Sequence, residues 1–184
     1  MLTEAELLND IYRTTEMGRD GIETVLPHSG EGPFRAALEQ QLAEYRAIHG
    51  TAAEMLRARG QEPKGLSPVV RFSAGMAGAF RSMAGQSTSK IAEMMIQGNT
   101  MGLTKGLRNL HSYHGKDVRV RELAHKLLAT EEANIVQMKP YLYPGSAAKR
   151  GAADLPLPVC LYPLSPDPSC ARRSARRRCP PACR

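Results

Sequence analysis

The residues of this 184-residue chain that are typed for chemistry are carboxylates and histidines. Glu131 is the most pointed of them. It interrupts an apolar stripe made by Val120, Ala124, Leu127, Leu128, Ile135 and Met138. A carboxylate buried on such a stripe needs a partner, and Tyr45 or His49, on the inward face of an earlier helix, could serve. His111 and His114 stand three apart, which puts both on one helix face. A transition metal could use them, but histidines in a last helical turn more often interact with the negative end of the helix, and that reading is preferred. Nucleophile chemistry has little to work with. Residues 1–143 contain no cysteine, no Gly-x-Ser-x-Gly elbow and no defensible Ser/His/Asp grouping. Gly98, Gly102 and Gly106 are spaced for helix contact and lack the Gly-Lys-Ser/Thr of a phosphate loop.

The elements that must position these groups read as helices. Thr3 and Glu6 have capping-box spacing, and Leu8, Ile11, Thr15, Gly18, Ile22 and Val25 recur at helical period, predicting a first helix over residues 4–26. The stretch from Pro27 to Gly32 breaks it. A second helix is expected from Pro33 to about Arg59, with Phe34, Leu38, Leu42, Tyr45, His49, Ala52 and Leu56 inward and Gly60 just past its end. Ser67-Pro68 then opens a short amphipathic segment over 68–84, with Val69, Phe72, Met76, Phe80 and Met83 on one face. It either breaks at Gly85 or runs on as a kinked helix. A third helix is expected from Ser87 to His114, and a fourth from an Asp117 cap to about Pro140. The three glycines of the third helix suggest a groove for a close neighbour, with Gly18 and Gly21 as the facing surface; a merely weak helix is the plainer alternative. Short links between long helices favour antiparallel neighbours.

Composition separates this body from the C-terminal tail. Of the net charge of +7, residues 144–184 carry eight basic against two acidic side chains, which leaves the body at +1. A near-neutral body is no platform for specific nucleic-acid binding. All four cysteines (Cys160, Cys170, Cys179 and Cys183) lie in the tail, and a cysteine-free body fits a reducing, cytoplasmic setting. The acidic start at Met1–Glu6 lacks the pattern of a signal peptide, and no apolar run approaches a membrane span. Residues 144–184, rich in Arg, Pro and Cys, are expected to be disordered. Their abrupt change of composition reads as a GC-rich gene translated in a shifted frame.

A helical hairpin, a long crossover bearing a short helix, and a second hairpin make up the expected layout. With Leu8-Asn9-Asp10-Ile11 and Gly21-Ile22-Glu23 in the first helix, and Phe34 to Glu39 and Ala43-Glu44-Tyr45 in the second, it resembles the ferritin-like bundles. More narrowly, it is similar to a small bacterial ferritin-like family of unknown function, over about residues 4–142. The resemblance implies an all-α, antiparallel four-helix bundle with a short extra helix in the crossover between helices 2 and 3. It also implies a ligand set: a Glu on each of two helices and Glu-x-x-His on each of the other two. Against that set the chain is incomplete. Glu122-x-x-His125 has the spacing but lies near one end of the fourth helix. Mid-helix, Glu131 and Glu132 are followed at that spacing by Asn134 and Ile135, and the third helix offers Gln97 and Asn99. The leading expectation is a non-enzymatic scaffold or self-association protein with a degenerate metal site and no cofactor, working as a homo-oligomer or with a protein partner. Its contact surfaces would be Gly98, Gly102 and Gly106 together with Val69, Phe72, Met76 and Phe80. The competing expectation is an iron or other metal protein using Glu16, Glu44, His49 and Glu131. A third is a peripheral membrane protein that docks through the 68–84 face.

Overall fold

The structure, a computed structural model, describes residues 1–66 and 87–143. These residues belong to one unit built from four long helices: α1 (Glu4–Val25), α2 (Pro33–Arg57), α3 (Thr88–Ser112) and α4 (Val118–Met138). Single 3-10 turns follow α1 (Leu26–His28) and α4 (Lys139–Tyr141). No strand occurs among the described residues; an isolated bridge between Leu2 and Tyr113 is the extended pairing there. The expected short helix over 68–84, its face of Val69, Phe72, Met76 and Phe80, and the tail from Pro144 all lie outside the described residues.

Local chemistry explains where each helix starts and stops. Thr3 accepts from the Glu6 amide while its own amide donates to the Glu6 carboxylate at 2.8 Å, a complete capping box. Those hydrogen bonds hold the Glu6 carboxyl below the usual carboxylate range. Pro33, pre-set in φ, opens α2. At the other end Gly60 takes φ +68°, and Gln61 N–H reaches back to the Leu56 carbonyl, closing the helix with orphan carbonyls satisfied. Ser87 caps α3 and Asp117 caps α4 through their side chains. The third helix stops at Ser112, two residues short of the expected His114. Tyr113 leaves the helix in an extended conformation, its ring buried over Gly115, where a Cβ would collide with it, while Leu2 N–H bonds the Ser112 carbonyl.

Helix α1 packs along α2, and α3 along α4; the two pairs then meet, chiefly α2 against α4 and α1 against α3. The seam is apolar at both ends, with Leu8, Ile22, Leu38, Ile48, Leu56, Ile91 and Met138 almost sealed from solvent. Burial of such side chains supplies most of the driving force, roughly 1.5–3 kcal/mol for each large one. Arg59, at the end of α2, pairs with Glu4 and with the Asp117 cap, tying three helix ends together. Phe34 meets Tyr141 edge-on with ring centroids 4.9 Å apart, which fastens the start of α2 to the turn after α4.

Candidate functional site: a buried polar layer

Midway along this seam the core turns polar. Tyr45, Asn99, Glu131 and Asn134 are each at most 4% exposed. The Tyr45 hydroxyl of α2 donates to Asn99 Oδ1 of α3 at 2.9 Å, and Asn134 Nδ2 of α4 donates to the same oxygen at 3.1 Å. Asn99 Nδ2 in turn donates to the Met95 carbonyl at 2.6 Å. One amide, bonded at both its oxygen and its nitrogen, thus joins three helices. Next along α2, Gln41 Nε2 donates to Gln137 Oε1 at 2.7 Å, and Gln137 donates onward to Gln40.

Two glycines make room for the layer. A Cβ at Gly102 would lie 2.5 Å from Glu131 Oε1, and one at Gly18 would lie 2.7 Å from the Tyr45 ring. Of the three α3 glycines expected to form a groove for a close neighbour, two meet side chains of α4. Gly102 and Gly106 receive the side chains of Glu131 and Leu128, two residues one turn apart on α4, whereas Gly98 faces open space. Two glycines of α3 thus fit side-chain knobs of unequal size, and the third meets none among the described residues.

Glu131 carries the unusual electrostatics. Burial pushes its carboxyl up to about 8, against the pull of a hydrogen bond with Tyr45. Burial, then the charge and hydrogen bond of Glu131, push the Tyr45 hydroxyl well above its ordinary value. Glu131 Oε2 finds no hydrogen-bond partner among the described residues. A carboxyl raised that far favours its neutral form at pH 7, as suits one with no cation beside it among the described residues.

The other expected site residues go elsewhere. Glu16 is buried, but its carboxylate accepts the Leu66 amide at 2.7 Å. With Asn9 accepting from the Lys64 amide and Arg13 donating to the Lys64 carbonyl, it straps residues 64–66 onto α1. His49 is half-buried, stacked on Tyr12 at 3.9 Å, with Nδ1 3.1 Å from Thr15 Oγ1 and 3.2 Å from the Tyr12 carbonyl. A carbonyl only accepts, so that contact favours the proton on Nδ1. Desolvation lowers the pKa of His49, with the Tyr12 carbonyl, Glu16 and Asp20 acting the other way. Glu44 is exposed on the outer side of α2, and Glu122, His125, His111 and His114 are also exposed. Glu16 and His49 are thus near neighbours beside α1, Glu131 is in the central layer with Tyr45, and Glu44 is outside. Among the described residues no three His, Cys, Asp or Glu side chains gather as a metal ion would require.

The partner of Glu131 proves to be Tyr45 rather than His49. Reading for ligands alone passed over Asn99 and Asn134 as missing ligands, although polar residues at core positions of two helices were a signal for a hydrogen-bonded layer. No helix among the described residues is long and apolar enough to cross a membrane. Fold and site together define an all-helical protein with a polar layer sealed in its core. No protein family, no curated protein and no solved structure matches the chain, so its function has to be read from its own residues.

Proposed function

We propose that this chain is a ferritin-like, antiparallel four-helix bundle that serves as a non-enzymatic scaffold or self-association module, with hydrogen bonds where a metal centre would be. Support for the antiparallel arrangement comes from the order of contacts. Phe34, Gln41 and Tyr45 on α2 meet Tyr141, Gln137 and Glu131 in descending order. Gly102 and Gly106 on α3 likewise meet Glu131 and Leu128.

One observation carries the functional reading. The groups around Glu131 are a phenol hydroxyl and two amides, engaged with each other and cut off from solvent. Asn134 stands where Glu-x-x-His would place its histidine. Amides and a protonated phenol are poor ligands for iron or zinc, which favour imidazole, thiolate and carboxylate. A sealed layer also offers no opening for a substrate. For self-association, α3 presents Gly98, open to solvent, and Met101, 67% exposed, three apart on one face.

The test is metal content. The full chain is loaded separately with ferrous iron and with zinc, desalted, and assayed for metal per chain, and its mass is measured by sedimentation. Expected are negligible retained metal in the bundle and a species larger than the monomer that dissociates in Met101→Lys. The tail cysteines provide a second place for zinc, so the deciding comparison is Glu131→Gln. Near-stoichiometric metal that this substitution removes would overturn the reading and make the chain a metalloprotein.

A further inference from the structure

Among the described residues no cation answers Glu131. The groups sharing its layer are Tyr45 from α2, Asn99 and Gly102 from α3, and Asn134 one turn along α4; α1 contributes Gly18 behind the Tyr45 ring. Tyr45 is the titratable one, none is positively charged, and no ion pair among the described residues involves Glu131. The same layer joins the two helix pairs, because Tyr45 reaches from α2 across to α3 and α4.

We propose that Glu131 is a proton-operated latch between the α1–α2 and α3–α4 pairs, closing the polar layer as a neutral acid and loosening it as a carboxylate. Tyr45 has a single hydroxyl proton, and it goes to Asn99 Oδ1. A neutral Glu131 brings a proton of its own and can donate to the Tyr45 oxygen, leaving the bond to Asn99 intact. An ionised Glu131 only accepts. It then competes with Asn99 for the Tyr45 proton and puts an unpaired charge in the dry core, which low dielectric makes costly. Either response weakens the α2–α3 link.

This fixes the sign of the pH dependence. The folded pKa of about 8 lies above the ordinary 4.5, so the contribution is whole below 4.5 and is lost as pH rises through about 8. Within that window each pH unit changes the unfolding constant by about tenfold.

The experiment compares amide hydrogen exchange in the full-length protein and its Glu131→Gln variant, with a chelator present, at pH 5 and at pH 9. Comparing the two proteins at one pH cancels the intrinsic base catalysis of exchange. Expected at pH 9 is exchange at least tenfold faster in the wild type around Tyr45, Asn99 and Glu131, with the ratio near one at pH 5. A ratio that does not change with pH would overturn the latch. Should Glu131→Gln fail to fold, infrared spectroscopy of the wild type decides instead. A buried protonated-carboxyl band at neutral pH, vanishing across about pH 8 together with the tyrosine near-UV dichroism, is expected; absence of that band at neutral pH refutes the proposal.

Discussion

Replacing Gly102 with alanine would bring a Cβ to 2.5 Å from Glu131 Oε1 and 2.8 Å from its Cδ. Two effects oppose each other. Removing a helical glycine gains roughly 1 kcal/mol in propensity. Against that, a methyl forced into a packed site costs roughly 1–3 kcal/mol. The upper part of that range applies, because the carboxyl that must yield is 2% exposed and is held beside Tyr45. Gly98 is the internal control: it is exposed and nothing among the described residues stands within 4 Å of its Cβ position, so only the propensity gain remains. Gly98→Ala should therefore be more stable than the wild type by about 0.5–1 kcal/mol. Gly102→Ala should fall about 2–3 kcal/mol below Gly98→Ala, the upper part of the packing cost. Urea unfolding followed by helical circular dichroism at pH 7 measures both. The cycle closes with Glu131→Ala, since alanine at 102 has no carboxyl to strike in that background and should recover its propensity gain. Equal stabilisation at the two glycines, or no coupling between 102 and 131, would refute the claim that Gly102 exists to seat Glu131.

Other perturbations probe the same framework. Tyr45→Phe removes the hydroxyl that donates to Asn99 and that holds the Glu131 pKa down, so it should cost about 1–2 kcal/mol. It should also move the Glu131 titration above the wild-type value, read by infrared. Thr3→Ala deletes one half of the capping box and should cost about 1 kcal/mol, with fraying confined to the first turn of α1 by amide exchange. His49 should titrate below its ordinary 6.5 because burial disfavours its charge. Its contribution is then whole above 6.5 and lost as pH falls through the folded pKa, which proton NMR of the imidazole can follow; a value at or above 6.5 would contradict the packing against Tyr12 and Thr15.

The amino-acid sequence by itself determined the helices, because their signals are local. The Thr3/Glu6 box, Pro33, Gly60 and Asp117 mark ends through chemistry confined to a few residues, and all act as expected. The inward stripes followed from period: Leu8, Ile11, Ile22, Leu38, Leu42, Tyr45, Leu56, Val120 and Leu127 are all buried. The sequence likewise put Glu131 on an apolar face. What only the tertiary structure decided is which groups meet across helices, since the rotation and axial offset of one helix against another depend on all the side chains between them. Tyr45 and Asn99 are 54 residues apart and Asn99 and Asn134 are 35 apart, and no local rule links them. The same geometry sent His49 to Tyr12, Glu16 to the Leu66 amide and Glu44 to solvent, and it spent Gly102 on a carboxyl rather than on a helix backbone. Period can say that a side chain faces inward; only packing says what it faces.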